Sequence, residues 1–476
     1  MTEGERPIRV RRGKPASQAI ALLTALAIAS ASMPTRAQAA GLPLIRDAEI
    51  EQLLREYTQP ILKAADLERQ NIQVVIINDR SFNAFVADGR RIFVNAGALL
   101  DAKTPNEIIG VLAHETGHIA GGHLSRLRQQ LATAQTQMII AVLLGLGAAV
   151  AASSAGASGN PAAAILGPQT AIQRSLLSYQ RAQEEQADRA GVKLLTATHQ
   201  SSKGMYDTFK RLGDQVLFAA HGADPYLQSH PMPAQRVAAL EVVARSNPYW
   251  SRTDPPQLQL RHDLMRAKLA GFLDRAGSVA RRYPFSDHSL PARYARAIAT
   301  YRHGALASAI GQIDGLIQSQ PNNAYFYELK GQALLEGRKP REAIPPLRRA
   351  IQLAPQPILI KAMLAQALMA TNDPKAPDEV ISLLSATAAR ERVLQPEFRQ
   401  MPPIGYRQLA VAYGRKGDIA RAQLTSAEEA LMAGDIRTAR DRAAHAKARF
   451  KIGSPGWKNA DDIVRISPPK TSLGGP

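Results

Sequence analysis

The chain contains no cysteine among its 476 residues. It therefore has no disulfide bond and no thiol to which a lipid could be attached. Acidic residues are also scarce relative to basic ones, with 40 Asp and Glu against 59 Lys and Arg, which gives a formal net charge of +19. This balance favours anionic partners, although an arginine-rich proteome would produce the same charge without any partner.

The most apolar internal segment is too short to span a membrane. Residues 138–152 read MIIAVLLGLGAAVAA, which is below the roughly 20 residues that a membrane-spanning helix needs. The run lies within residues 129–173, where no residue is charged. We interpret 129–173 as a lid, a buried hairpin or a segment that contacts a membrane surface.

Residues 1–39 have the three parts of a secretory signal peptide. A basic start is followed by an apolar run at 19–31 and by a small-residue cleavage site, AQA, at 37–39. Together with the absence of cysteine, this predicts a protein of the bacterial periplasm, either released or peripherally attached to the outer membrane. The anionic partner expected there is the membrane surface or its lipids rather than nucleic acid.

Residues 114–118 read HETGH. On a helix, His114 and His118 lie four residues apart on one face and can bind a single Zn²⁺, while Glu115 can act as a general base beside them. The preceding segment 104–107, TPNE, predicts the start of that helix, with threonine as N-cap, proline at the first position and glutamate closing a capping box. This pattern is typical of zinc peptidases.

A third protein ligand must come from elsewhere in the chain. His123 falls one position too early for the third histidine of the H-E-x-x-H-x-x-G-x-x-H motif, so we interpret it as a helix-end residue or a support for the ligands. Residues 179–191 have helical composition and place Glu184 and Asp188 on one face. Glu184 can bind the zinc, and Asp188 can accept the second N–H of a ligand histidine. A solvated charged helix is the alternative.

HETGH followed by E-x-x-A-D-x-x-G resembles the HtpX-like gluzincins. The order of segments resembles their periplasmic branch, the BepA-type metalloproteases with a tetratricopeptide tail. The resemblance extends to NAF at 83–85, IFVNAG at 92–97 and SHPMPAQR at 229–236, while Gln180 stands where the family usually has serine.

The resemblance implies roles for individual residues. It makes Glu184 the third zinc ligand and Asp188 the residue that supports a ligand histidine. It also suggests that His230 is a reversible fourth ligand or assists the transition state, with a related role for Arg236. A lone histidine before proline is otherwise an ordinary loop residue.

Two segments rich in β-branched residues precede the HETGH helix. Residues 72–78 and 91–94, separated by a turn at Asp88-Gly89, predict a small antiparallel sheet. An exposed edge of that sheet could hold an extended substrate by main-chain hydrogen bonds, and a purely structural role fits the same residues equally well.

The C-terminal half shows a period of 34 residues, most clearly between Pro321 and Pro355. The period aligns Ala297 with Gly331, Ala309 with Ala343, and Ile313 with Leu347. This is the tetratricopeptide pattern, in which small side chains let paired helices approach closely. About four such repeats are readable, and they predict a solenoid whose concave face binds peptides or partner proteins.

The sequence therefore predicts a mostly α protein with a small antiparallel β-sheet, in which a gluzincin-type metalloprotease domain precedes an all-α tetratricopeptide solenoid. After the signal peptide we place the protease domain at 40–250, a link within 246–256, the repeats at 257–452 and a poorly ordered tail at 453–476.

The predicted function is that of an endopeptidase with one Zn²⁺ per chain that degrades misfolded or stalled outer-membrane proteins in the periplasm. The repeat domain would recruit these substrates or the outer-membrane assembly machinery. The alternative is a chaperone or assembly adaptor that acts mainly through the repeats, with latent proteolysis.

Overall fold

A computed structural model describes residues 43–133, 161–218, 226, 229–394 and 396–466. The predicted signal peptide and the apolar run 138–152 lie outside these residues. The described part is mostly helical with one small β-sheet. None of the helices that it contains is both long and apolar enough to cross a membrane.

The sheet has four strands: β1 (Leu44–Ile45), β2 (Gln73–Ile77), β3 (Ala84–Val86) and β4 (Arg91–Asn95). Their order across the sheet is β1-β2-β4-β3. The β1–β2 and β3–β4 pairs are antiparallel, but β2 and β4 are parallel. The predicted antiparallel pairing of 72–78 with 91–94 is therefore wrong, and the sheet is mixed. Because β3 pairs on the outer side of β4, the chain reverses twice between β2 and β4, and periodicity alone does not reveal this.

The N-terminal half contains α1 (Ala48–Ala64), α2 (Ala96–Asp101), α3 (Pro105–Ala120), α4 (Pro161–Ala197), α5 (Lys203–Phe218) and α6 (Ala234–Arg245). Residues 123–133 are also helical. Helix α3 packs against α1, α4, α5 and β3, so it occupies the centre of this half. Apolar side chains from all of these elements form one core, including Leu54, Ile92, Leu112, Leu195 and Phe209.

The C-terminal half contains α7 (Pro256–Leu273), α8 (Ala276–Arg282), α9 (Leu290–His303), α10 (Leu306–Ser319), α11 (Ala324–Glu336), α12 (Pro340–Leu353), α13 (Ile358–Met369), α14 (Ala376–Glu391), α15 (Pro403–Arg415), α16 (Ile419–Met432), α17 (Ile436–Lys447) and α18 (Pro455–Val464). From α9 to α18, each helix packs against the next. The aligned residues of the 34-residue period lie where helices meet, since Ala309, Ala343 and Leu347 are fully buried and a side chain at Gly331 would collide with Leu347. The assignment of these pairs as tetratricopeptide repeats stays a prediction.

Helix α7 belongs to both halves. Its residues Met265 and Leu269 lie in the N-terminal core, while Leu264 and Ala267 pack with α9 to α11. The predicted link at 246–256 coincides with the non-helical stretch 246–255 between α6 and α7 and with the first residue of α7.

A buried cluster of charges joins the two halves at α7. Lys268 Nζ lies 2.8 Å from Asp47 Oδ2, 3.2 Å from Glu49 Oε2 and 3.6 Å from Glu328 Oε2. Tyr294 Oη donates a 2.9 Å hydrogen bond to Glu49. These five residues, called the Lys268 cluster below, connect the start of α1 with α7, α9 and α11.

The predicted poorly ordered tail at 453–476 is wrong for its first part. Residues 455–464 form α18, whose N-cap Ser454 accepts a hydrogen bond from Trp457 N at 3.4 Å. Ala460 and Ile463 are buried against α16 and α17, and Lys447 Nζ pairs with Asp461 at 2.6 Å. Packing and capping thus outweigh the Gly/Pro/Ser-rich composition, while residues 467–476 lie outside the described part.

Candidate active site

Helix α3 begins as the sequence predicts. Thr104 is the N-cap, and its hydroxyl accepts a hydrogen bond from Glu107 N at 3.4 Å, with Pro105 in the first helical turn. The Glu107 carboxylate accepts from Lys103 N at 3.3 Å, one residue before the N-cap. Residues 114–117 of this helix are buried, on the side that packs against α4 and the core.

Glycines bring α3 and α4 into backbone contact. A Cβ atom at Gly117 would lie 2.8 Å from the carbonyl oxygen of Ala187, and one at Gly191 would lie 3.2 Å from His114 N. Larger side chains at either glycine would push the helices apart. The contact places Glu184 and Asp188, which flank Ala187, directly against the two histidines of α3.

Four side chains converge at this contact. The Nε2 atoms of His114 and His118 are 3.1 Å apart. Glu184 Oε2 lies 3.4 Å from His114 Nε2, and Glu184 Oε1 lies 3.4 Å from His118 Nε2. With His230, one ligand atom from each residue falls within 4.8 Å of all the others. This cluster fits a gluzincin-like site and contains the residues predicted to bind the metal.

Asp188 lies behind His114 and is held by Arg236. Its Oδ1 is 3.0 Å from His114 Nδ1, on the side of the ring that faces away from Glu184. Arg236 donates to both oxygens of Asp188, at 2.7 and 2.8 Å, and its Nη1 lies 2.9 Å from Glu184 Oε2. Arg236 is only 4% exposed. The resemblance pointed to Arg236, but sequence reasoning missed its pairing with two buried carboxylates. This pairing could have been expected, because two buried carboxylates on one helix face require a nearby cation.

His230 closes the cluster from the segment before α6. Its Nδ1 lies 3.0 Å from Glu184 Oε2 and its Nε2 lies 3.5 Å from Glu115 Oε1. The ring stacks on Tyr226, with 4.7 Å between centroids. Within the described residues, the fully buried carboxylate of Glu115 accepts no hydrogen bond. Both of its oxygens are therefore available to a bound water or substrate.

The surroundings shift the protonation of these groups. Burial alone would raise the pKa of Glu184, but the neighbouring histidines hold it well below its ordinary value. Burial lowers the pKa of His118 to about 3. Burial also disfavours the protonated form of His114, but the neighbouring Asp188 and Glu184 outweigh this effect and raise the pKa of His114 to about 9. Burial raises the pKa of Glu115. An ionised Glu184 and a neutral His118 are the forms that bind metals, and a carboxylate of raised pKa is suited to proton transfer.

The donor set fits a transition metal. Two imidazole nitrogens and one carboxylate are a common ligand set of catalytic zinc, with a further position for water or substrate. His114 Nδ1 faces a carboxylate, as ligand histidines usually do. His123 is not part of the converging cluster; its Nδ1 contacts His118 Nδ1 at 3.0 Å, in keeping with a supporting place at the helix end.

Residues 45–244 match the family model described as Peptidase family M48. The matched region begins at β1 and ends in α6, so it contains the whole cluster.

The relatives found among curated proteins have related names. A beta-barrel assembly-enhancing protease of Yersinia pestis is 23% identical over 431 residues, which are 88% of this chain and 83% of that protein. A protein of the same name from Escherichia coli K12 is 22% identical over 70% of this chain and 68% of its own. A relative of the same type from Vibrio cholerae serotype O1 is 25% identical, and the match covers 60% of this chain but only 59% of that protein. The match to the M48 peptidase model at 45–244 and the similarity to the beta-barrel assembly-enhancing proteases indicate that this chain is a metalloprotease hydrolase.

Proposed function

We propose that this protein is a zinc endopeptidase of the bacterial periplasm that degrades misfolded or stalled outer-membrane proteins. The observation that carries the proposal is the convergence of His114, His118 and Glu184 beside a buried Glu115 that accepts no hydrogen bond within the described residues. The sequence of the N-terminal region and the names of the relatives support the compartment and the substrate class.

His114, His118 and Glu184 would hold the metal, with Asp188 and Arg236 fixing two of these ligands in place. Zn²⁺ bound there would supply a Lewis acid that polarises the peptide carbonyl and makes water acidic near neutral pH. Zinc is favoured over magnesium or calcium because imidazole nitrogens predominate among the donors.

Glu115 would act as the general base. It would remove a proton from the attacking water and later deliver that proton to the leaving amine, as a carboxylate of raised pKa can do in both directions. Its buried position shields the proton from bulk solvent.

His230 would serve as a reversible fourth ligand. Its Nδ1 lies 3.4 Å from His114 Nε2 and 3.0 Å from Glu184, which is within reach of an ion bound between them. We expect His230→Ala to retain zinc and to cleave an unfolded protein faster than wild type. A loss of cleavage instead would assign His230 to the transition state.

Strand β3 would bind the substrate backbone. It forms one edge of the sheet, pairs only with β4 among the described strands, and packs beside α3. An extended peptide added to this edge would be held by main-chain hydrogen bonds, so the site would accept many sequences. Such tolerance suits an enzyme that recognises unfolded chains.

The C-terminal helices would recruit the substrate or the assembly machinery of the outer membrane. The segment that joins α14 to α15 contacts the N-terminal half near the sheet, where Gln73 Nε2 donates to Phe398 O at 2.8 Å and Arg46 to Gln400 O at 2.7 Å. A partner bound on these helices is thus brought to the half that carries the M48 domain. The uncharged segment 129–173 would add a contact with the membrane surface.

The test is Glu115→Gln in the full chain. We expect casein cleavage to fall by about 10²–10⁴-fold, because the general base is lost, while bound zinc measured by atomic emission stays at one per chain. The matched control is Glu185→Gln, the same change on the exposed face of α4, which should cleave at the wild-type rate. Cleavage by E115Q at the wild-type rate would rule out this mechanism.

The alternative is an adaptor that works through the C-terminal helices with latent proteolysis. Complementation separates the two functions. If E115Q fully restores envelope integrity in a deletion strain, the adaptor function leads; if it fails while E185Q succeeds, proteolysis is the essential activity.

A further inference from the structure

His123 lies three residues beyond the end of α3, behind a turn of two glycines. Gly122 has a φ of 60°, a left-handed conformation that glycine adopts without strain. A Cβ atom at Gly121 would collide with the His123 ring. The turn therefore folds the ring back against α3, where His123 is only 3% exposed.

The buried ring faces a residue of the proposed zinc site. His123 Nδ1 lies 3.0 Å from His118 Nδ1, and the two rings are nearly perpendicular, at 85°. Two imidazole nitrogens at this distance form a hydrogen bond only when one carries a proton and the other presents its lone pair. The contact therefore couples the tautomers of His118 and His123.

The direction of this hydrogen bond follows from the other side of His118. His118 Nε2 points towards His114 and Glu184, so it must present a lone pair if it is to bind an ion there. Its proton then resides on Nδ1 and is donated to His123. We propose that His123 is a positioning residue that fixes the tautomer and ring orientation of His118, an inference that rests on the proposed zinc site.

Helix α4 holds His123 in this place. Gln183 Nε2 donates to the His123 carbonyl oxygen at 3.3 Å. The helix that supplies Glu184 thus also anchors the residue behind His118. Each histidine of HETGH has its own support, because Asp188 stands behind His114 as an anionic acceptor and His123 behind His118 as a neutral one.

The test compares His123→Leu with His123→Asn. Leucine fills the space but offers no acceptor, whereas the asparagine Oδ1 occupies nearly the position of the histidine Nδ1 and can accept from His118. The zinc dissociation constant is measured by competition with a chromophoric chelator at one pH. The visible absorption spectrum of the cobalt-loaded protein reports the ligand geometry, and the melting temperature of the metal-free protein reports folding.

We expect His123→Leu to weaken zinc binding by about 10–100-fold and to change the cobalt spectrum, while the metal-free melting temperature stays close to wild type. We expect His123→Asn to restore both the affinity and the spectrum. Equal weakening by the two variants would show that the ring acts only through packing, and wild-type affinity in His123→Leu would overturn the proposal. A wild-type chain that binds no zinc would overturn the proposed function as well, which distinguishes the two failures.

Discussion

The active site and the Lys268 cluster both bury several charges, yet they differ in what their polar atoms face. In the Lys268 cluster, one ammonium group lies between three carboxylates, and Tyr294 donates to one of them. In the active site, Arg236 pairs with Asp188 and Glu184, but both oxygens of Glu115 accept no hydrogen bond from any described residue. The Lys268 cluster pairs its charges with one another and leaves one oxygen of Glu328 without a hydrogen bond, whereas the active site leaves both oxygens of Glu115 without one among the described residues.

The difference teaches how to distinguish a structural charge cluster from a functional one. Burial and a shifted pKa occur in both, since Glu328 and Glu115 each have a raised pKa because they are buried. A buried oxygen without a hydrogen bond also occurs in both, at Glu328 and at Glu115. What separates the two clusters is the set of histidine nitrogens and the Glu184 carboxylate that converge beside Glu115. Three experiments test this contrast.

The largest effect is expected from Lys268→Met, which leaves the buried Glu49 and Glu328 and the half-buried Asp47 without their cation. We expect the free energy of unfolding to fall by about 3–5 kcal/mol, measured from urea transitions at neutral pH. Lys210→Met, which removes an exposed partner of Asp214, should change it by less than about 1 kcal/mol. A Lys268→Met chain as stable as wild type would mean that the cluster does not hold the two halves together.

An intermediate effect is expected from Gly117→Ala, which tests the backbone contact of the active site. The new methyl group meets the Ala187 carbonyl, so we expect a loss of about 1–3 kcal/mol and weaker zinc binding as α4 is displaced. The matched control is Gly311→Ala in α10, where a Cβ atom meets nothing within 4 Å. That variant should gain about 0.5–1 kcal/mol from helix propensity, so the two identical changes should have opposite signs.

The smallest change, when it is taken from one pH unit to the next, is a pH dependence of the free energy of unfolding that Glu328 causes. Burial raises its pKa from 4.5 to about 8, so the folded chain binds more protons than the unfolded chain between these values. Its contribution to stability is complete below pH 4.5 and is lost as the pH rises towards 8, at up to about 1.4 kcal/mol per pH unit.

Glu328→Gln should therefore flatten the dependence of urea midpoints on pH between 5 and 8, when the metal-free protein is measured. Glu342→Gln, at an exposed position of α12, should retain the wild-type slope. The active-site groups are common to all three chains, so they cancel in the comparison. An unchanged slope in Glu328→Gln would place the proton elsewhere in the Lys268 cluster.

Local signals account for what the sequence predicted correctly. The TPNE segment predicts the start of α3, and the i, i+4 spacing of Glu184 and Asp188 predicts that both lie on the face of α4 that meets the two histidines. The helix start of α18 was readable in the same way, because Ser454 and Pro455 are a usual N-cap and first residue, but overall composition concealed it.

The features that were missed depend on contacts between distant segments. The parallel direction of β2 and β4 is decided by the side on which β3 pairs, and strand composition does not encode it. Lys268 lies 221 positions from Asp47 and 60 from Glu328, and nothing in the sequence around it marks a buried lysine. The pairing of Arg236 with the carboxylates of α4 likewise forms only when α6 packs beside α4.

Because Arg236 packs against Glu184 and Asp188, the site is formed by residues of three helices. Glu115 lies on α3, the Glu184 carboxylate on α4 and the Arg236 guanidinium that pairs with that carboxylate on α6, so a chain in which any one of these helices is undocked lacks part of the arrangement. We therefore expect a chain that is still folding to have no capacity to cut until the last of these three helices has docked.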